Sequence, residues 1–389
     1  MSLMSDFEKR LERAGVASGR RGHGYTGEAV YIFAYDIAYE ISDEPIDVLL
    51  GQPIVQYAAG MTKRGPREPF FYRPRMIRLP EVTRRGPRGP VPVQRTVKIY
   101  PVGAISITVR VHFDVAHAQD LVAFHDLYLD KVLLHDEVNA LAEQVRRELL
   151  PFCTRPVAQL HDDEAYTVFC IRPPLTTGAG QPVRSEDWLA EHRREVAAVL
   201  TQETDIAYLS DQEAEESTGK YLSYYEYDLA VLDWDAALVV DAPANMDETI
   251  HIIELANVQL AELEAYDRIL DEAMDHAYRD LRSRPLRGQA DVLRGLRELR
   301  IDLARLSDEL SNITKFFGDW HLARIYQKLS ARFHLEDWER VINEKLKTVD
   351  DLYMIFRQDQ NNRWMMALEL SIVVLFIIDL VILVWFGMK

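Results

Sequence analysis

Residues Ala367 to Phe386 read ALELSIVVLFIIDLVILVWF, and this run limits what the chain can be more than any other feature. About 20 helical residues at 1.5 Å each span roughly 30 Å, the thickness of a bilayer's hydrocarbon core. About fifteen of them are Leu, Ile, Val or Phe, each favouring insertion by roughly 0.3–0.6 kcal/mol. One central acid opposes it by roughly 3 kcal/mol, so the sum favours the membrane. The run is apolar on every face, which argues against a core helix of a soluble domain. Trp364 and Trp385 stand at its two ends, where indoles suit the lipid–water interface. Arg357 and Arg363 precede it and Lys389 follows. The positive-inside rule then puts residues 1 to about 363 in the cytosol or a matrix-like space, with the C-terminus outside. The expectation is a single-pass protein of the cell inner membrane, tail-anchored in the lipid bilayer. The N-terminus carries charges throughout and reads as no secretory signal.

Two acids accompany the span. Asp379 lies near its middle and Glu369 ten residues earlier, near the boundary, on nearly the same helix face. An intramembrane acid ordinarily faces a partner helix or a water-filled cavity. With one span per chain, such a partner is another copy or another protein. A protonated Asp379 tolerated in lipid is the alternative.

Upstream, apolar residues recur at alternating steps of three and four. One seam runs Ile252, Ala256, Gln259, Leu263, Tyr266, Leu270, Ala273, Ala277, and Arg284-Pro285 ends it. A second runs Leu296, Leu299, Leu303, Leu306, Leu310, Ile313, Phe317. This is coiled-coil-like spacing. A third helix starts near Trp320, bends at Phe333-His334-Leu335, and meets no Pro or Gly before the membrane.

Before Asp247 strands and helices mix without a βαβ rhythm. Strands are expected at Ala29–Ile41, at Thr96–Phe113 as two strands turned at Pro101 to Gly103, at Ala165–Ile171, and as a closing pair at Tyr221–Tyr227 and Ala230–Val240. Helices are expected at Leu121–Leu150 and Trp188–Gln202. The fold class is therefore an α+β N-terminal domain, then a long helical, coiled-coil-like stalk, then a single C-terminal transmembrane helix. The boundaries are a flexible N-terminus over 1–22, the α+β domain over 23–246, a helical hairpin or stalk over 247–334, a juxtamembrane helix over 335–363 and the anchor over 364–389.

Within the domain, residues 60–95 read as a loop dense in Pro and Arg. From Lys63 to Lys98 there are eleven Lys or Arg against two acids, in a chain whose net charge is −17. Arg64, Arg67, Arg73, Arg75, Arg78, Arg84, Arg85 and Arg88, interleaved with Phe70, Phe71 and Tyr72, are candidate contacts for RNA or an anionic surface. The plainer reading is a loop paired with the acidic body of the same protein.

Motifs for chemistry fail. Gly22 to Gly27 has the letters GxGxxG but precedes a strand, whereas the nucleotide-binding form follows one. His161 to Glu164 reads as a polar turn, and Cys153 and Cys170 as reduced thiols. Asn312-Ile-Thr314 is a sequon in a helix expected to be cytosolic. No catalytic residue, metal site, cofactor or small-molecule substrate is indicated.

One resemblance rests on particular residues. Asn343-Glu344-Lys345-Leu346 is followed by Leu368-Glu369 and then by Asp379 inside the apolar run. This resembles the DUF155 family, which includes the "required for meiotic nuclear division" proteins, although Leu370 replaces the family's tryptophan and Asp379 its glutamate. The resemblance implies a membrane-anchored homo-oligomer facing the cytosol or matrix, with mitochondrial members that support translation. It implies no catalytic residue. A weaker likeness, ending at Gly387-Met388-Lys389, is to CorA-type magnesium channels, which need an asparagine there and a second membrane helix.

The expected function is a non-enzymatic, homo-oligomeric membrane scaffold that presents its domain to a cytosolic protein or ribonucleoprotein. One alternative is an ion-conducting or ion-sensing oligomer lined by Asp379 and Glu369. The other is an RNA-binding tether built on the basic loop.

Overall fold

The computed structural model describes residues 24–42, 44–57, 74–86, 89–161, 163–177, 180–282, 301 and 320–387. They belong to two compact units. One comprises Met1–Glu264 with Glu309–Glu336, the other Ala265–Asp308 with Asp337–Lys389.

The first unit is built on a mixed sheet. In chain order its strands and short ribbons are β1 (Tyr25–Asp36), β2 (Ala38–Ile41), β3 (Val48–Leu49), β4 (Gln52–Pro53), β5 (Val55–Gln56), β6 (Arg75–Gly86), β7 (Gly89–Ile99), β8 (Ala104–Val115), β9 (Tyr128–Leu129), β10 (Val132–Leu133), β11 (Cys153–Pro156), β12 (Glu164–Ile171), β13 (Leu229–Leu232) and β14 (Ala236–Val240). The described helices are α1 (Leu134–Leu149), α2 (Ser185–Leu200), α3 (Asp211–Thr218), α4 (Pro243–Arg282), α5 (Trp320–Arg332) and α6 (Leu335–Gly387). Eight strands form one sheet in the order β13-β14-β12-β1-β8-β7-β6-β5. Its pairs are antiparallel except β12 with β14.

Strand β1 is buried at every position from Ala29 to Tyr35, because both faces of the sheet are covered. Side chains alternate, so each strand serves two layers. Tyr31, Phe33, Ile107, Val109, Phe169 and Leu238 face Val138, Val145 and Leu149 of α1 and Trp188, Val196 and Val199 of α2 in one core. The opposite parity, including Lys98, Thr108 and Tyr166, meets α4 and the segment around α5. Burying each such Leu, Val or Phe contributes about 1.5–3 kcal/mol.

The turn expected at Pro101 to Gly103 joins β7 to β8. Gly103 has φ +98°, and a Cβ there would lie 1.7 Å from the carbonyl oxygen of Ala38. Gly103→Ala is therefore expected to cost about 2–4 kcal/mol, read as a lower urea midpoint.

Several expectations are corrected. Residues 75–86 and 89–95, expected as loop, belong to the β6–β7 hairpin, with Gly86 opposite Gly89. Among the prolines that suggested a loop, Pro80, Pro90 and Pro92 sit where a missing N–H is tolerated. Pro80 lies at the irregularity between Leu79 and Val82, and Pro90 and Pro92 lie at the distal end of the hairpin. The single helix expected over Leu121–Leu150 is a short 3-10 turn (Ala118–Phe124), then β9, β10 and α1. Asp130 and Lys131 both have positive φ, 51° and 71°, the geometry of a two-residue hairpin turn. The closing pair is β13 with β14; of Tyr221–Tyr227, Leu222 alone bridges, to Ala230. The Asp228 carboxylate instead accepts the N–H groups of Tyr224 and Tyr225 at 2.7 and 3.0 Å, which turns the backbone out of a strand.

The stalk is corrected most. Helix α4 is buried at every position from Thr249 to Leu263. It is a core helix of the sheet unit, which extends to Glu264, past the boundary expected at residue 246. Ile253, Leu255, Val258 and Leu260 lie between the seam positions and are buried too, so the apolar surface encircles the helix. The described residues do not show a coiled-coil stalk, and the second seam, apart from Ile301 beside it, lies outside them.

In the second unit, Leu270 of α4 and Ile342, Leu346 and Val349 of α6 are buried. Lys345 Nζ bridges Asp267 and Asp271 at 2.7 Å each. Helix α6 begins after His334, whose φ of 51° makes the bend, and runs 53 residues without a break. That is about 80 Å of continuous helix.

Candidate functional site

Two places carry unusual chemistry. The first is a polar seam between the sheet and α4. Lys98 projects from β7 out of the apolar stretch TVKIY, and Glu254 projects from α4 out of HIIELA. Their side chains form a short ion pair, 7% and 0% exposed. Thr108 of β8 donates to the other oxygen of Glu254 at 3.4 Å. The Lys98 ammonium also lies 4.0 Å from the centre of the Tyr57 ring, a cation–π contact. His251, one turn before Glu254, packs its ring on Tyr57 at 4.7 Å between centroids. On the same sheet face Arg110 of β8 holds Glu28 of β1 at 3.3 Å and Asp247 of α4 at 2.7 Å.

Burial alone would push the Glu254 carboxyl up, but the Lys98 charge and then His251 outweigh it and hold it down at about 2. Burial first, then the neighbouring Lys98 charge, lowers His251 below its ordinary value. Burial raises the Tyr57 phenol and the Cys170 thiol. Each cation of the seam has a carboxylate partner on α4, so the seam holds α4 on the sheet. Sequence reasoning missed it, although a lysine inside an apolar strand and an acid inside an apolar helix were the legible signals. A carboxyl pair also marks the start of β12. Burial, a hydrogen bond to Glu264 and the charges of Glu264, Asp163 and Asp235 raise Glu164 to about 9. Among the described residues no group of three or more His, Cys, Asp or Glu is placed to hold a metal ion.

The second place is the far half of α6. One described helix is long and apolar enough to cross a membrane, over Trp364–Val381, and none of that stretch is buried. Phe376 is 73% exposed and Leu375 64%. Glu369 and Asp379 are exposed on this helix. Trp364 is exposed at its start, and Arg363 and Trp385 belong to the same helix.

The basic candidates are divided. Arg75 donates to the carbonyls of Ser42 and Glu44 at 3.0 Å each. Arg84 holds Asp130 at 3.1 Å and Glu137 at 2.9 Å, and Arg95 shares Glu137 at 3.3 Å. The Arg85 backbone N–H donates to Asp130, and the Arg78 side chain is exposed. Arg64, Arg67, Arg73 and Arg88 lie outside the described residues. Arg75 and Arg84 thus pair inside the domain. Of the motif residues at 343–346, Asn343 and Glu344 are exposed, Lys345 is ion-paired and Leu346 is buried.

A family model described as "Uncharacterized protein MJ0711, N-terminal domain" matches residues 26–247. Uncharacterized protein MJ0711 of Methanocaldococcus jannaschii is 27% identical over 164 residues, 41% of this chain and 50% of that relative. The chain therefore spans about half the length of the curated relative it matches. No solved structure matches. The DUF155 resemblance is overturned by the family match. The residues that suggested it have packing roles that unrelated helices share: Lys345 bridges two acids and Leu346 is buried. Because the matched segment takes in all but the first residue of the sheet and more than half of the sequence, the chain belongs to the family of uncharacterized protein MJ0711, N-terminal domain.

Proposed function

We propose that this protein is a non-enzymatic membrane scaffold: α6 anchors it in the bilayer, and the sheet unit is presented to a partner in the cytosol. The observation that carries this reading is the continuity of α6. A single helix packs through Ile342, Leu346 and Val349, then continues as a fully exposed apolar rod. In water such a surface is far larger than soluble proteins leave uncovered, whereas in lipid a helix satisfies all its backbone groups internally. Arg357 and Arg363 just before the apolar stretch support a cytosolic sheet unit.

In this reading Asp379 meets a second copy. A carboxyl near the bilayer centre opposes insertion by about 2.5–3.5 kcal/mol unless another polar group faces it. Self-association supplies that group, with Glu369 nearer the boundary. The test has two arms. The full chain should sediment with membranes and resist alkaline carbonate extraction; recovery in the soluble fraction refutes the anchor. Asp379→Leu should lower the mass of the detergent-solubilised assembly by light scattering, and an unchanged mass refutes the role of that acid. The internal pairing of Arg75 and Arg84 removes support from an RNA tether.

A further inference from the structure

His251 sits at the centre of the seam and is tied to neither anchoring nor presentation. It is 7% exposed, with Nδ1 3.4 Å from Lys98 Nζ and 3.9 Å from a Glu254 oxygen. Each element packed around it contributes a polar or charged group. Lys98 comes from β7 and Tyr100 from just beyond it, Thr108 and Arg110 from β8, and Tyr57 from just after β5. Asp247 and Glu254 come from α4 itself. With a neutral imidazole each cation already has a carboxylate partner: Lys98 pairs with Glu254, and Arg110 with Glu28 and Asp247.

We propose that His251 is an acid-sensitive lock on the seating of α4 against the sheet. Neutral, the ring packs beside both the Lys98 ammonium and the Tyr57 ring, which also touch each other. Protonated, it sets a second cation beside Lys98, with Glu254 left to serve both, and the buried half of α4 loosens.

The direction follows from linkage. Burial, then Lys98, holds the His251 ring below its ordinary value, so the opened state binds the proton more readily. The contribution is fully present above the ordinary histidine value of about 6.5 and is lost as pH falls below it. Glu254, held at about 2, stays ionised throughout that range.

The test is hydrogen–deuterium exchange on the full chain in detergent micelles at about pH 7 and about pH 5, corrected for intrinsic rates. Protection over 249–263, relative to 25–36, should fall severalfold on acidification. The ceiling is about thirtyfold, set by one proton acting between about pH 6.5 and pH 5. His251→Asn should abolish the difference between the two pH values. Equal loss in both segments of the natural chain, or an undiminished selective loss in His251→Asn, overturns the proposal. Should that variant not fold, histidine-labelled NMR of the natural chain decides: a ring that titrates at or above 6.5 overturns it, and one that titrates lower supports it.

Discussion

Replacing Glu254 with alanine is expected to lower the free energy of unfolding by about 3–5 kcal/mol, most of what many domains possess. The carboxylate is fully buried, and its removal leaves the Lys98 ammonium in the sheet–helix interface without its counter-charge. The seam also predicts a particular pattern. Lys98→Met should cost a similar amount, because Glu254 would then be stranded. The double variant Lys98→Met with Glu254→Leu should recover most of the loss, since replacing a buried pair with packed apolar groups is often neutral. Urea unfolding of the four proteins forms a double-mutant cycle. Additive losses would mean that the two charges do not act as a pair.

Ending the chain at residue 363 is expected to move it from the membrane fraction to the supernatant almost completely. About fifteen strongly apolar residues, each contributing roughly 0.3–0.6 kcal/mol, outweigh the single central acid by several kcal/mol. The truncated protein should keep the circular-dichroism signal of its sheet, because the sheet's strands and the helices on its first face all precede Pro243. A truncated chain that still pellets with membranes would mean that another surface binds lipid, and α6 would lose its role as the anchor.

The two predictions draw on features that differ in legibility. The long apolar helix near the C-terminus was plain because its residues are apolar on every face, and no neighbour is needed to recognise it. The bend at His334 and the unbroken helix after it were plain for a related reason. Helix continuity depends on the absence of Pro and Gly, a property local to the chain. The strands at 165–171 and 104–113 and the helix from Trp188 follow from their own apolar patterns.

What went unread depended on partners distant in the chain. The prolines of β6 and β7 suggested a loop, yet β8 offers β7 seven paired positions, enough to hold a strand that has lost a few donors. The helix expected over 121–150 forms only from Leu134, because a two-residue turn at Asp130 and Lys131 folds the segment before it into a hairpin. The seam residues of α4 repeat at three and four whether the helix faces one partner or is enclosed, so the spacing alone made it a stalk.

By itself, then, the sequence determined which stretch is long and apolar enough to cross a membrane, where its helices can run unbroken, and which segments are apolar enough to pair as strands. Each of these is set by composition and by contacts within a few residues. The tertiary structure alone decided that α4 is a core helix, that Arg75 and Arg84 answer to partners inside the domain, and that Lys98, His251 and Glu254 share one buried site. Those facts rest on contacts between residues as many as 156 positions apart, for which the linear order carries no signal.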